Sequence, residues 1–273
     1  MHLSLLFLAI AALSHGLSTK NDISRCGNPE PSIELLDVSR QLSVQENQVR
    51  DFGLYKKATL AVDVYFHTIS ASIDTLLSDS TLNEQFNVLS QDYEVYGINL
   101  NLAGISKTVN ATWSRFEDEL GMKTHLRNGT YKDLNIYFLD SVGGAYGKCP
   151  YPVNTTAEST DFYLDGCSVL ATTVPGGAEK PYDLGKTATH EVGHWFGLFH
   201  TFDHGCNGGD EVDDTPPQAT ATYGCPLSKD TCPDHPGEDP IHNYMDYSDD
   251  VCLYEFTEGQ INRILSFWTL YRS

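Results

Sequence analysis

Apolar and polar residues alternate along two short stretches in the first half of the chain, residues 60–67 and 97–102, and this period of two predicts strands. Residues 134–139 predict a third strand. Between these strands, residues 81–89 and 116–126 predict two helices. The order strand, helix, strand, helix, strand predicts parallel neighbouring strands that are joined by helical crossovers.

The second half of the chain is less regular. Residues 143–152 are rich in Gly and Pro and predict an irregular edge strand, and residues 167–170 predict a further short strand. We expect a helix over residues 183–199 and a final helix over residues 260–271, which a capping box at residues 257–260 begins. Because the region between these helices is turn-rich and no internal repeat occurs, we expect a single domain.

The N-terminal residues predict processing rather than folded structure. Residues 1–18 hold an apolar run that is too short to cross a bilayer and ends in small polar residues, which is typical of a secretory signal peptide. Residues 19–52 are polar and of mixed charge, and they indicate a pro-segment or a poorly ordered tail. The folded domain is therefore expected over residues 53–273.

Composition agrees with export from the cell. Asn110, Asn128 and Asn154 each begin a glycosylation acceptor, and seven cysteines without a CxxC pair suit an oxidising compartment. The formal net charge of −20 argues against nucleic acid or an anionic membrane as a partner, because phosphates would be repelled. We therefore expect a secreted, monomeric glycoprotein.

One segment carries a metal-binding pattern. His190 and His194 are four residues apart, so on a helix both imidazoles lie on one face and reach the same ion. Gly197 can adopt a positive φ and turn the chain back, which brings His200 to that ion as a third ligand. Three imidazoles suit zinc and leave a fourth position open, as catalysis requires. Glu191 is placed to take a proton from an attacking water.

Residues 243–247, read as Asn-Tyr-Met-Asp-Tyr, complete a resemblance. With the histidine motif they resemble the zinc helix and Met-turn of the metzincin metalloproteases. The sequence HEVGHWFGLFHTF at 190–202 and the acidic stretch 209–216 are similar to the pappalysin-like branch, in particular to extracellular fungal metalloproteases.

This resemblance implies both a fold and an activity. The implied fold is an α+β catalytic domain with a twisted, mixed five-stranded sheet, two long helices above the cleft, and an irregular C-terminal subdomain stapled by disulfides. The implied activity is that of a secreted zinc endopeptidase, which hydrolyses internal peptide bonds of extracellular proteins. Glu191 would be its general base, and its partners would be protein or peptide substrates.

The resemblance also implies roles for single residues. Tyr247 would donate a hydrogen bond to the oxyanion of the transition state, and Met245 would lie as an apolar floor under the histidines. Asp210, Asp213 and Asp214 offer oxygen ligands where related enzymes bind calcium, although a solvated loop explains this cluster equally well.

Seven cysteines leave one unpaired, and the sequence alone leaves the pairing open. The resemblance implies three pairs, which are Cys206 with Cys232, Cys225 with Cys252, and Cys149 with Cys167. Cys26 would then be free in the pro-segment. Its thiolate could occupy the open zinc position and keep a zymogen inactive, and a chance free cysteine is the alternative.

Two questions remain open at this level. A catalytically inactive, zinc-stabilised binding module is the rival function, but Glu191 is present, and an inactive relative usually loses this residue.

In the Lys- and Arg-specific relatives, an Asp just before the last disulfide cysteine lines the pocket for the residue after the cut bond, whereas here that position holds Val251. We therefore expect an apolar residue there in substrates, unless Asp249 or Asp250 turns inward.

Overall fold

The computed structural model describes residues 23–51 and 59–273, so the signal peptide predicted at 1–18 lies outside the described residues. The helices are α1 (Ile33–Asp51), α2 (Asp79–Glu94), α3 (Ala111–Ser114), α4 (Glu119–Leu126), α5 (Thr160–Leu164), α6 (Lys186–Trp195) and α7 (Glu258–Tyr271). The strands are β1 (Leu60–Ser70), β2 (Ile98–Val109), β3 (Leu134–Leu139), β4 (Gly147–Lys148) and β5 (Cys167–Leu170).

The five strands form one sheet in the order β2-β1-β3-β5-β4. β1 pairs in parallel with β2 and β3, and β5 is parallel to β3, as the crossover pattern predicts. β4 is antiparallel to β5 and forms an edge of the sheet. The sheet is therefore mixed, and the edge strand beside β5 is the irregular segment that its Gly and Pro residues predict.

The main core lies between the sheet, α2 and α6. Val64 and Phe66 of β1 pack there with Leu89 of α2 and Val192 of α6, all of them buried. The other face of the sheet is covered as well, by a second cluster that includes Met122 of α4. Because both faces are covered, the far end of β1 is buried at every residue and loses the alternation of its first half.

Below the sheet, the chain after α6 is mostly irregular and is held by disulfides. Cys206–Cys232 and Cys225–Cys252 staple this segment, while Cys149–Cys167 joins the end of β4 to the start of β5, and all three pairs are those that the resemblance implied. α7 follows with both halves of its capping box made by Thr257 and Gln260. These features confirm the α+β fold with a mixed five-stranded sheet and a disulfide-stapled C-terminal part that the resemblance implies. None of the helices in residues 23–51 and 59–273 has the length and apolar character needed to cross a bilayer.

The segment before the sheet contradicts one of the two interpretations given for residues 19–52, the poorly ordered tail. A poorly ordered tail is wrong for residues 33–51, because these form the 19-residue helix α1. Three of its apolar side chains, Leu35, Val38 and Leu42, are spaced by three and four residues and share one face. That face packs on Phe267 of α7, so tertiary contacts compensate for a mostly polar helix.

Candidate metal centre and cleft

The three predicted histidines converge on one point. His190 and His194 lie one turn apart on α6, and their Nε2 atoms are 3.1 Å apart. Gly197 has a φ of +99° and ends the helical path, and a Cβ there would lie 2.5 Å from the ring of Phe267. The turn brings Nε2 of His200 to 3.1 Å from Nε2 of His194. All three side chains are buried.

The outer ring nitrogens hold these imidazoles in place. Nδ1 of His190 lies 2.7 Å from the carbonyl oxygen of Tyr244, and Nδ1 of His194 lies 2.8 Å from that of Leu198. A carbonyl oxygen only accepts, so both Nδ1 atoms carry the proton. Their Nε2 lone pairs therefore point at the common centre, as metal ligands require.

Cys26 adds a fourth donor to this group. Its Sγ lies 3.5 Å from Nε2 of His194, and the donor atoms of Cys26, His190, His194 and His200 all lie within 4.8 Å of one another. Burial and the neighbouring Glu191 raise the pKa of the Cys26 thiol, so its thiolate needs a cation beside it.

This donor set fits zinc. A tetrahedral ion with Zn–N bonds of 2.0–2.1 Å separates its nitrogen ligands by about 3.3 Å, close to the spacing of these histidines. Burial lowers the pKa of His190 and His194, which keeps both imidazoles neutral and able to bind a metal. Three imidazoles and a thiolate are typical ligands of zinc.

Met245 packs against the middle of the histidine motif and is fully buried. A Cβ on Gly193, in the middle of the motif, would lie 2.4 Å from its Sδ atom. α6 and the turn at residues 243–247 therefore pack closely because residue 193 has no side chain. This contact agrees with the apolar floor that the resemblance implies.

The carboxyl group of Glu191 lies between the metal centre and β4. It is fully buried, and a Cβ on Gly147 would lie 2.4 Å from its Cγ and Oε1 atoms. Its Oε2 is 3.8 Å from Sγ of Cys26, while Oε1 has no hydrogen-bond partner among the described residues. Burial raises the pKa of Glu191 to about 8, so this carboxyl group can exchange a proton near neutral pH.

Tyr247 borders the centre beside His200. Its hydroxyl is 3.2 Å from Nε2 of His200, and its ring packs edge-on against the imidazole of that residue. Burial raises the pKa of Tyr247, so the hydroxyl keeps its proton and can act as a hydrogen-bond donor.

Residues 24–28 lie in the cleft and run parallel to the segment that contains β4. The amide of Tyr146 donates to the carbonyl of Ser24 over 2.9 Å, and the amide of Gly27 donates to the carbonyl of Gly147 over 2.8 Å. The Asn28 side chain exchanges two hydrogen bonds with the backbone of Cys149. These contacts hold Cys26 at the metal centre.

Arg25 fills a pocket beside the centre. No motif in the sequence indicated this role for Arg25. Its guanidinium donates to Oδ1 of Asp250 over 3.0 Å and to the hydroxyl of Thr187, and it lies 4.5 Å from the centroid of the Tyr182 ring. Asp250 is 1% exposed whereas Val251 is 72% exposed. The expectation that Val251 lines this pocket is therefore wrong, and Asp250 takes that place.

The acidic residues proposed for calcium do not gather into a comparable site. Asp210 accepts from the Val212 amide and from Nε2 of Gln260, and Asp214 accepts from Thr257 and Gly259. Among the residues that the structure describes, only the cysteine and histidine cluster brings three or more such side-chain donors together. Calcium binding therefore stays a prediction.

Comparison with known proteins agrees with this geometry. The model of a peptidase family described as pregnancy-associated plasma protein-A matches residues 129–268. An extracellular metalloprotease of Pyricularia oryzae is 48% identical over 272 residues, covering 97% of this chain and 95% of the relative. One of Podospora anserina is 50% identical over 285 residues, covering 98% and 97%.

A solved structure is similar as well. Mature mirolysin of Tannerella forsythia, in complex with a cleaved peptide, matches with a TM-score of 0.66 and 29% identity. The match covers 77% of this chain and 92% of mirolysin.

Proposed function

From the premise that this chain belongs to the pregnancy-associated plasma protein-A family of peptidases and is a zinc-dependent metalloendopeptidase, we propose which residues perform the reaction. His190, His194 and His200 hold the ion, Glu191 is the general base and Tyr247 stabilises the transition state. The observation that carries this assignment is the convergence of three Nε2 atoms beside a buried carboxyl group.

Each residue has a separate task. Zinc, when bound, supplies a Lewis acid that polarises the scissile carbonyl and acidifies water. Glu191 takes a proton from the attacking water and passes it to the leaving amine. The hydroxyl of Tyr247 donates to the oxygen that gains negative charge. Once residues 24–28 have left, the edge of β4 offers backbone hydrogen bonds to an extended substrate.

The N-terminal residues have a regulatory role in this proposal. Residues 1–18 direct secretion and residues 19–52 are a pro-segment, with the catalytic domain at 53–273. Cys26 supplies the fourth ligand and Arg25 fills the adjoining pocket, so the zymogen has no room for substrate. Support comes from relatives named as extracellular and from the 77% of this chain that mature mirolysin matches. Asn128 and Asn154 are exposed and could carry glycans.

The pocket that Arg25 fills indicates the preferred substrate. Asp250 provides a buried carboxylate at its base, and Tyr182 provides an aromatic wall over which a cation can lie. We infer that the mature enzyme prefers a substrate with Arg or Lys immediately after the scissile bond.

Replacement of the general base tests the assignment. The activated Glu191→Ala enzyme should lose about 100- to 10,000-fold in kcat, because general-base catalysis is removed, while its zinc content stays at one ion. Metal analysis and a fluorogenic peptide assay measure both quantities. Glu94→Gln, at an exposed glutamate of α2, is the matched control. Activity of Glu191→Ala close to that of the unmutated enzyme would contradict the mechanism.

A further inference from the structure

The pro-segment contacts the rest of the protein at two separate places, and one of them does not involve the zinc ligands themselves. The helix-docking face consists of Phe199, Arg263, Phe267, Tyr271 and the loop 210–213, and α1 covers it. We propose that this face retains the pro-segment after the chain is cut between residues 52 and 58, and that the free pro-segment inhibits the mature enzyme in trans. This inference rests on the proposed role of residues 19–52.

Apolar burial provides the first part of the contact. Leu35 of α1 packs with Phe199 and Phe267, and these three side chains are between 1% and 9% exposed. Leu36, Val38 and Leu42 add partly buried surface to the same cluster. Phe199 directly precedes the zinc ligand His200, so α1 covers apolar surface that adjoins the active site. Loss of α1 would expose that surface to water.

Arg263 provides the polar part. Its side chain is 1% exposed, and its guanidinium contacts both carboxylate oxygens of Glu46, the hydroxyl of Ser39 and the carbonyl of Glu211. Two of these partners, Glu46 and Ser39, lie on α1. If the helix departs, Arg263 keeps only the carbonyl of Glu211 among the contacts just named. Burial of this cation requires a carboxylate partner, which Glu46 supplies, so the face favours an acidic, amphipathic helix.

The loop 210–213 closes the contact at its edge. The hydroxyl of Ser43 donates to the carbonyl of Glu211 over 3.1 Å, and Arg40 pairs with the carboxylate of Glu211 over 3.0 Å. Asn47 donates to Asp213. Polar groups therefore surround the apolar contact, as at the rim of a protein interface.

Only residues 29–32 separate α1 from the segment in the cleft. Two binding elements joined by so short a linker raise each other's effective concentration, so the pair binds far more tightly than either alone. A cut between residues 52 and 58 leaves both elements and their linker intact. The cut therefore breaks a covalent bond without displacing Cys26 or Arg25.

Peptide inhibition of the mature enzyme tests this inference. The enzyme is activated with an added protease, freed of pro-segment and assayed with a fluorogenic substrate. A peptide of residues 23–51 should inhibit at a concentration about 100-fold or more below that of a peptide of residues 23–31, which lacks α1. Calorimetry with the activated Glu191→Ala enzyme measures binding of the same peptides under conditions in which they are not cut.

Variants of the long peptide locate the effect. Leu35→Ala and Glu46→Gln should each raise the inhibition constant about tenfold or more, since the first removes buried apolar surface and the second removes the negative charge that pairs with Arg263. Val44→Ala and Glu34→Gln are matched controls at exposed positions of α1 and should change it less than about threefold. Equal inhibition by the long and short peptides, or equal effects of the docking and control variants, would overturn the inference.

The same assays distinguish this inference from the proposed function. An activated enzyme without peptidase activity would contradict the function itself. An active mature enzyme that the long peptide leaves uninhibited at 100-fold molar excess would contradict only the inference. Gel filtration after a single cut provides a further check, because the pro-segment should elute with the catalytic domain and activity should stay low.

Discussion

The guanidinium of Arg25 and the carboxylate of Asp250 form an ion pair of 3.0 Å, and each side chain is no more than 1% exposed. A pair so buried persists only with supporting hydrogen bonds, which the amides of Leu184 and Lys186 supply to Asp250. Arg25 thus places a cationic side chain where we expect that of the substrate.

We predict that a peptide library cut by the mature enzyme will show Arg or Lys immediately after the cleaved bond. Asp250→Asn should lower kcat/KM for such substrates about 100-fold or more, because a buried cation then lacks its charge partner, and should change Leu substrates far less. Asp249→Asn, at the preceding residue, is the control. A profile dominated by Leu, Phe or Met would contradict this prediction and support the apolar specificity first expected from Val251.

Loss of the Cys26 thiol should activate the proenzyme. Serine is a much weaker zinc ligand than a thiolate, so Cys26→Ser proenzyme should hydrolyse a fluorogenic peptide faster than the unmutated proenzyme before any cut is made. Ile33→Ala, at a residue of α1 that is 75% exposed, should leave the basal rate unchanged. Equal basal rates of the Cys26→Ser and unmutated proenzymes would rule out a thiol switch.

Asp203 should contribute to zinc retention. Its Oδ2 accepts from the backbone amide of His200 over 3.0 Å, and its Oδ1 is 3.3 Å from Nδ1 of the same residue. A carboxylate so placed orients the imidazole and increases its basicity, so Asp203→Ala should weaken zinc binding about 10- to 100-fold, and Asp203→Asn less. Competition with a chromogenic chelator measures the affinity.

A matched control separates metal binding from loop stability. Asp133 accepts from the amide of Thr130, three residues earlier, as Asp203 does from His200, but it lies far along the chain from the zinc motif. Asp133→Ala should therefore leave zinc affinity unchanged. If both alanine variants bind zinc as tightly as the unmutated enzyme does, Asp203 has no role in orienting His200.

The sequence was most informative where one local rule determines the structure. Spacing alone places His190 and His194 on one face of a helix, and the glycine at 197 explains the turn to His200. The parallel order of β1, β2 and β3 follows from the alternation of strand and helix patterns. Such features depend on backbone geometry and little on distant contacts.

Features that depend on distant contacts were missed. α1 has few apolar residues, and its docking depends on Arg263 and Phe267, more than 200 positions later in the chain. Asp250 turns inward because residues 250–252 form a tight 3₁₀ turn, so neighbouring side chains point in different directions. The position next to Cys252 in the sequence therefore did not show whether Asp250 or Val251 lines the pocket.

Asp210 should make the stability of the protein depend on pH. This residue is 3% exposed, and burial raises its pKa to about 7 from an ordinary value near 3.8. The folded protein therefore holds a proton at pH values where the unfolded chain has lost it. The free energy of unfolding should thus fall as pH rises from about 4 to 7, by up to about 1.4 kcal/mol per pH unit.

Asp210→Asn, which stays neutral, should flatten this slope in urea unfolding measured at pH 5, 6 and 7. Asp214→Asn, at an exposed residue of the same loop, is the control. Equal slopes for Asp210→Asn and the unmutated protein would show that Asp210 is ionised in the folded state.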